Sequence, residues 1–119
     1  MVDTPGYSNQ AVSNAVHAVI AANDALCLFR IGERSPGQSH AEAANVLKRA
    51  CQGTTLERQM GQRVRQLTDV LQQKTLAQYY GKPIDPETAR RVMKQAERFI
   101  RWVEDSLPQD EPSDADRDG

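Results

Sequence analysis

Two long apolar patterns with helical spacing, separated by a short loop, fill the last third of the chain ahead of its acidic end. Pro83 in that loop interrupts a helix, because proline lacks an amide hydrogen and clashes with the preceding turn. Asp85 follows as an N-cap with Pro86 at the first helical position, the residue types preferred at a helix start. The region therefore predicts one helix over residues 55–80 and another over residues 86–107.

Two more helices are predicted upstream of this pair. The first spans residues 8–31, where apolar residues recur at helical spacing, and Gly32 provides its stop. The second spans residues 40–51, and Ser39 with Glu42 forms a capping box at its start. Because no alternating strand pattern appears in the sequence, the fold class predicted is all-α, an antiparallel bundle of four to five helices.

The predicted helix over residues 8–31 has one face of mostly small side chains, formed by Ala11, Ala15, Ala18, Ala22, Ala25 and Phe29. An adjacent apolar stripe is formed by Val12, Val16, Val19 and Leu26. Small side chains let another helix approach closely, so the alanine face is interpreted as core, with a homodimer seam as the alternative. The predicted core of the third helix consists of Leu56, Met60, Val64, Leu67 and Leu71. That of the last helix consists of Ala89, Val92, Met93, Ala96, Phe99, Ile100, Val103 and Leu107.

The composition is typical of one small soluble domain. A chain of 119 residues is long enough for a single core and too short for two. Cys27 and Cys51 lack the close spacing of a metal or redox motif, and two such thiols favour a reducing cytoplasm. No basic-then-apolar leader begins the chain, and the longest apolar stretch, residues 15–29, contains polar residues that make it a poor membrane span. We therefore expect a cytoplasmic protein that does not associate with a membrane.

Charge is distributed unevenly along the chain. Residues 1–107 contain fourteen Lys and Arg against eleven Asp and Glu, whereas residues 108–119 contain one arginine against five acids. An acidic segment with almost no apolar residues cannot bury enough surface to fold. We expect a flexible N-terminus over residues 1–7, one helical domain over residues 8–107, and a disordered acidic tail over residues 108–119 that mainly aids solubility.

Recognisable catalytic and metal-binding motifs are missing from the sequence. It has no glycine-rich phosphate loop, no Cys/His zinc spacing and no His-Glu-x-x-His pattern, so neither a cofactor nor a metal is expected. His17 and Asp24 share a helix face but lie about 10 Å apart, too far for a hydrogen-bonded acid–base pair. His17 is therefore interpreted as a polar edge residue of the bundle, and His40 as a solvent-exposed residue.

Asn23 and Asp24 interrupt the apolar pattern of the first helix. A buried carboxylate is costly unless it is paired, so the favoured interpretation is that both side chains face water. The alternative pairs Asp24 with Lys74, which lies on or beside the buried face of the third helix, and gives a polar cleft that orients a ligand. The sequence leaves both interpretations open.

Basic residues gather on the last helix, where one face carries Arg90, Arg91, Lys94, Arg98 and Arg101. A row of this kind can contact the phosphates of a nucleic acid. Acidic residues are interspersed with the row and can form ordinary ion pairs along the helix. A solvated helix face is therefore the favoured interpretation, and a nucleic-acid surface is the alternative.

From Ala11 to Leu107 the pattern resembles the HEPN superfamily, small helical domains associated with nucleotide binding and RNA processing. The likeness rests on the Ala-Asn-Asp-Ala-Leu-Cys stretch of the first helix, on residues 74–80, Lys-Thr-Leu-Ala-Gln-Tyr-Tyr, and on the helix that opens with Glu87-Thr88-Ala89 after a short loop. The second stretch is similar to the family's basic-x-x-Ala-x-Tyr element. The loop over residues 32–40 is also similar to small bacterial members. The resemblance implies a HEPN-like helical bundle.

The same resemblance shows which ribonuclease residues are missing. Ribonuclease members carry an arginine that holds phosphate and, four to six residues later, a histidine that acts on the ribose hydroxyl or the leaving group. Alignment through Tyr80 puts Gln73 and Gln78 at those two positions. Glutamine carries no positive charge and exchanges no proton near neutral pH, so family-type RNA cleavage is not expected and no catalytic residue is assigned.

The resulting hypothesis is a non-catalytic helical binding module. The resemblance implies a homodimer that holds RNA, a nucleotide or a protein partner, in a bacterial toxin–antitoxin or nucleotidyltransferase-linked system. The residues assigned to its cleft and rim are Asp24, Lys74, Tyr79, Tyr80, Arg90 and Arg91. The alternatives are a metal-independent ribonuclease with an altered active site that uses Lys74 and His17, and a structural helical protein that joins a larger assembly.

Overall fold

The computed structural model describes residues 5–35, 40–80 and 84–108, with side chains at all of these positions except 5–8, 74 and 76–80. Its elements are α1 (Pro5–Ile31), α2 (His40–Cys51), a short 3-10 helix (Thr55–Gln59), α3 (Met60–Tyr80) and α4 (Pro86–Ser106). All regular structure in these ranges is helical, which confirms the all-α class and the four expected helices. The acidic segment over residues 109–119 lies outside the described residues, as do residues 1–4.

The helix ends follow from local sequence signals. Gly32 and Gly53 adopt positive φ angles of 68° and 77°, a region open to glycine because it has no Cβ, and they end α1 and α2. Thr54 then caps the next turn, since its Oγ1 accepts a hydrogen bond from the Leu56 amide at 3.0 Å. Asp85 caps α4 in the same way through the Thr88 amide at 2.7 Å.

Two helix starts differ from the sequence expectation. α1 begins at Pro5, three residues before the predicted boundary at Ser8, so part of the expected flexible N-terminus is helical. Residues 55–59 form a 3-10 helix and the α-helix starts only at Met60. Tight 3-10 turns are common at helix starts, and here the Glu57 amide bonds the Thr54 carbonyl three residues back at 3.2 Å.

The helix directions are mixed. α2 and α3 run antiparallel, because His40 at the start of α2 meets Thr75 late in α3 at 3.0 Å, and a tight turn joins their other ends. The first and fourth helices instead begin at the same end, where the Ile84 amide donates to Asn9 Oδ1 at 2.8 Å. A fully antiparallel up-and-down order would separate these two ends, so that part of the expectation is corrected.

A single apolar core lies between the four helices. α1 contributes a stripe of buried side chains, consisting of Val12, Val16, Val19, Leu26 and Cys27. α2 and α3 contribute Leu47, Leu67 and Val70, among others, and α4 contributes Val92, Phe99 and Val103. α1 packs most extensively against α4, so the largest helix–helix contact in the bundle is between these two long helices.

The core faces of two helices were predicted incompletely. Ala18, Ala25 and Phe29 are exposed, so these positions of the predicted alanine face of α1 are not core, whereas Ala15 and Ala22 are partly buried against the core. The valine stripe of α1 is more apolar per residue and occupies the inner side instead. On α4, Met93 is 42% exposed, whereas Trp102, which was not predicted to be buried, is 6% exposed.

Trp102 is buried because the 3-10 helix and α3 supply its partners. Its indole Nε1 donates to Gln59 Oε1 at 2.7 Å, and its ring lies 5.7 Å from that of Phe99. The Arg63 guanidinium stacks over the same indole at 5.4 Å and donates to the buried Gln66 at 2.9 Å. A tryptophan in this position is favourable since its polar N–H is satisfied while its ring is removed from water.

Candidate interaction surfaces

The outer face of α1 is apolar along much of its length. Ala18, Ala21, Ala25 and Leu28 are all exposed and recur at alternating spacings of three and four residues. Leu28 and the adjacent Phe29 have 47% and 52% of their surface exposed. We call Ala18, Ala21, Ala25, Leu28 and Phe29 the outer stripe. Spacings of three and four residues keep these side chains on one line, as in a helix that packs against another helix.

With apolar residues on both its inner and its outer side, α1 is an unusually apolar helix. In the part of the chain that the structure describes, Asn9–Ile31 is the one helical stretch long and apolar enough to cross a membrane by length and composition. Only a third of its most apolar window is buried. We expected the polar residues in this stretch to make it a poor membrane span, but it is still apolar enough to meet the criterion for a membrane-spanning helix. The inner valine stripe is nonetheless occupied by packing against the other helices.

A groove opens beside the outer stripe, between α1 and α4. Its volume is about 380 Å³, and its walls are Gln10, Ala11, Asn14, Ala15, Met93, Ala96, Glu97 and Ile100. The lining combines the small Ala11 and Ala15 of α1 with longer side chains of α4, among them the exposed Met93. A shallow, mainly apolar groove of this kind fits an apolar side chain better than a charged ligand.

The predicted basic row of α4 is exposed in the structure. Arg90, Arg91, Lys94, Arg98 and Arg101 all face solvent, and within the described ranges none of them forms an ion pair. Acidic residues such as Glu87 and Glu97 are exposed on the same helix. The row therefore has unpaired positive charge, diluted by its acidic neighbours.

Asp24 lies beside the segment that follows α1. Burial raises the pKa of its carboxyl, and the nearby Arg34 guanidinium and the Ser35 amide partly offset that increase. These contacts also show that the chain turns back along α1 after Gly32. The expected partner Lys74 lies in α3, but its side chain falls outside the described residues, as do those of Tyr79 and Tyr80. Their grouping with Asp24 stays a prediction.

Asn23, the neighbour of Asp24, is buried. It is 2% exposed, and its Nδ2 donates to the Ala43 carbonyl of α2 at 3.5 Å. Its Oδ1 accepts a weak hydrogen bond from the Cys27 thiol at 3.8 Å. The expectation that Asn23 faces water was therefore wrong, and its interruption of the apolar pattern marks a polar contact between α1 and α2.

Cys27 and Cys51 are free thiols buried at this same junction. Burial raises the pKa of Cys27 to about 12, with a smaller contribution from the neighbouring Cys51. Burial also raises the pKa of the Cys51 thiol. Because the thiolate is the reactive form, neither cysteine has the environment of a nucleophile or a metal ligand at neutral pH.

The two histidines lie apart from one another in different settings. His17 is exposed on α1, as expected, and has no hydrogen-bond partner among the described residues. His40 is half-buried, contrary to the expectation of solvent exposure. It packs against α3, where its Nε2 lies 3.0 Å from the Thr75 hydroxyl. No group of three His, Cys, Asp or Glu residues in the described ranges could hold a metal ion.

The groove is the feature that sequence reasoning missed. Its α1 wall could be anticipated from the small residues Ala11 and Ala15, but its α4 wall depends on which face of α4 meets α1. Met93 and Ile100 were both predicted to be core. Met93 is exposed, whereas Ile100 packs against the core and also lines this opening. Comparison with protein-family models, curated proteins and solved structures found no match to this chain.

Proposed function

We propose that the protein is a non-catalytic, HEPN-like helical module that binds a protein surface through the outer stripe of α1. The observation that carries the proposal is the exposure of Leu28 and Phe29 at the end of a line of exposed alanines. Full burial of a large apolar side chain contributes about 1.5–3 kcal/mol, and about half of that remains to be gained at Leu28 and at Phe29, since each is already about half buried. The setting we propose is bacterial and cytoplasmic, with a toxin–antitoxin or nucleotidyltransferase-linked partner.

The shape of the stripe supports a helical partner. Alanines at Ala18, Ala21 and Ala25 allow the backbone of a second helix to approach α1 closely. Contiguous exposed apolar patches on small proteins mark interaction sites, whereas single exposed apolar side chains are common. The absence of a metal cluster and of a reactive thiol from the described residues is compatible with a binding role.

The test compares a charge placed in the stripe with the same charge placed elsewhere. Ala25→Glu interrupts the stripe, and Ala41→Glu puts the same residue at an exposed alanine of α2. Each tagged protein is used for affinity capture from its native host, and circular dichroism checks that both variants keep the helical content of the wild type. We expect a partner that is retained by the wild type and by Ala41→Glu, and lost by Ala25→Glu. Equal recovery with all three proteins would place the binding surface elsewhere.

A second candidate function, RNA or nucleotide binding, is favoured by the exposed basic row of α4. Fluorescence anisotropy with labelled RNA at several salt concentrations tests it. If Arg90 and Arg91 contact phosphates, the Arg90→Ala/Arg91→Ala variant binds more weakly, and its affinity depends less steeply on salt. Asn45→Ala, at an exposed site on α2, serves as the control. No binding at low salt would eliminate this candidate.

The ribonuclease alternative is tested separately by incubating the protein with RNA. We expect no cleavage above a protein-free control, because Gln73 and Gln78 cannot perform the roles of the family's arginine and histidine. His17→Ala and Lys74→Ala are the variants to compare. Cleavage by the wild type that either substitution abolishes would replace the binding proposal by an enzymatic one.

A further inference from the structure

We propose that the acidic segment over residues 109–119 folds back along α4 and covers the basic row of that helix. The carboxylates of the segment then occupy the row in place of the phosphates of a nucleic acid, so the chain shields its own anion-binding surface. The inference concerns α4 and is independent of the outer stripe of α1. It assigns a docking surface to the acidic segment and an internal competitor to the basic row.

The basic row is one continuous positive face of α4. Its five cations fall within an arc of about 100° around the helix, which turns by about 100° per residue. The core side chains Val92, Phe99 and Val103 lie on the opposite side of the helix. Between the first and the last cation, over residues 90–101, five cations and the single acid Glu97 give a net charge of +4. All five are exposed and form no ion pair with the described residues, so this charge is available to an anion.

The segment that follows α4 has an equal and opposite charge. Residues 108–119 contain five acids and one arginine, which gives a net charge of −4. The acids are distributed along the segment, at positions 110, 111, 114, 116 and 118. Surfaces of opposite potential attract one another without either adopting a fixed shape, so the contact requires no folded tail.

The segment is also long enough to cover the whole row. Leu107 ends α4 with extended backbone angles of −93° and 152°, and Pro108 disfavours a helical conformation at the residue before it. The axis of α4 measures about 26 Å from Leu107 back to Arg90. The twelve residues 108–119 reach about 40 Å when extended. The difference, about 14 Å, is enough for the chain to pass around the end of the helix.

The described cations outside α4 compete poorly for the segment. Arg49 is paired with Glu33 at 2.6 Å, and the Arg63 guanidinium is stacked over the Trp102 indole. The row is moreover close to the point of attachment, and a short flexible tether gives its two ends an effective concentration on the order of millimolar. Individually weak surface ion pairs are therefore sufficient to keep the segment on the row.

Zero-length cross-linking of the full chain tests the contact. A carbodiimide joins a carboxylate to a lysine amine only where the two groups touch, and Lys94 is the one lysine of the row. Lys48 on α2 is also exposed and serves as the internal reference. We expect tryptic mass spectrometry to find acids of residues 110–118 linked to Lys94 several-fold more often than to Lys48. At about 1 M salt, where the screening length falls to about 3 Å, the Lys94 link should disappear.

Two double substitutions show whether the row directs the link. Arg91→Ala/Arg98→Ala removes cations on either side of Lys94, and Arg58→Ala/Arg65→Ala removes the same charge at exposed sites outside α4. The first should lower the Lys94 link several-fold and the second should leave it unchanged. Circular dichroism checks that both variants keep their helical content. A mixture of unlabelled and nitrogen-15-labelled wild type identifies which molecule supplies the segment, since a link within one chain never joins the two isotopes.

Shielding of the row is measured by the anisotropy of a labelled oligouridylate at low salt. Replacing the tail acids by their amides keeps the chain at full length and should tighten binding several-fold, because the row is then uncovered. The substitutions are Asp110→Asn, Glu111→Gln, Asp114→Asn, Asp116→Asn and Asp118→Asn. The same tail change should have a smaller effect in the Arg91→Ala/Arg98→Ala background, where less of the row remains to be uncovered.

Each outcome decides the inference. A Lys94 link that stays within one chain, disappears at high salt and depends on Arg91 and Arg98 supports it. No such link, an equally frequent link to Lys48, or a link between the two isotopes would overturn it. Equal oligouridylate affinities of the wild type and the tail variant, or no binding by either, would refute the shielding. None of these measurements involves a partner of the outer stripe, so they leave the proposed function to its own test.

Discussion

At the residue scale, a pair of neighbouring polar side chains performs two different tasks. Asn23 points into the junction of α1 and α2, and Asp24 points towards Arg34 and the Ser35 amide. The sequence predicted that something interrupts the apolar pattern here. It could not assign the burial of Asn23, because that depends on the carbonyl of Ala43 in another helix.

The raised pKa of Asp24 predicts that its negative charge destabilises the fold at neutral pH. When the pKa of a carboxyl is higher in the folded state than in the unfolded state, the protonated form of that carboxyl favours folding. The free energy of unfolding therefore falls as pH rises and the carboxyl ionises. We expect Asp24→Asn to increase stability at pH 7 by about 0.5 kcal/mol or less, since the group is only partly buried. The gain should vanish near pH 3. Urea unfolding of dilute protein measures it.

The exposed Asp105→Asn is the matched control for that prediction. It should show no comparable gain at pH 7. A loss of stability in Asp24→Asn at pH 7 would mean that the attraction of Arg34 outweighs the effect of burial.

The buried thiols predict slow alkylation of the native protein. Cys27, with a pKa of about 12, and Cys51 carry almost no thiolate at pH 8, and no part of either residue is exposed. We expect mass spectrometry to show no iodoacetamide adduct on the native protein within minutes, and two adducts in denaturant. Ala41→Cys, an exposed reference site, should add one adduct natively. Native labelling of the wild type at the rate of that reference would contradict the burial of this junction.

At the element scale, helix ends were readable from sequence and helix faces only partly so. Gly32, Gly53 and the Asp85–Pro86 pair specify their ends through local chemistry, and the structure places the ends there. α1 has two apolar stripes, of valines and of alanines, and periodicity alone does not rank them. Which stripe becomes core is decided by the other three helices.

The Thr54 cap gives a prediction at this scale. Its hydroxyl accepts from the Leu56 amide and donates to the Cys51 carbonyl at 2.6 Å, so it joins the end of α2 to the 3-10 helix. We expect Thr54→Ala to lower the free energy of unfolding by about 1 kcal/mol, the usual cost of a lost N-cap. Thr55→Ala removes an exposed hydroxyl one residue later and should change it little. Equal effects in denaturant titrations would show that the cap does not stabilise this turn.

At the scale of the whole molecule, the class of fold followed from the sequence and the arrangement did not. Four helices without a strand pattern predict a bundle. The common end of α1 and α4 is fixed by the contact of Ile84 with Asn9, far apart in sequence. The groove depends on that arrangement, because only a particular alignment of α1 and α4 brings Met93 and Ile100 beside Ala11 and Ala15.

Affinity capture from the native host tests the central claim most directly, that the outer stripe of α1 binds another protein. The wild type and Ala41→Glu should retain the same partner, and Ala25→Glu, which puts a charge in the stripe, should lose it. Recovery of the same proteins with all three variants would contradict a binding role for the outer stripe.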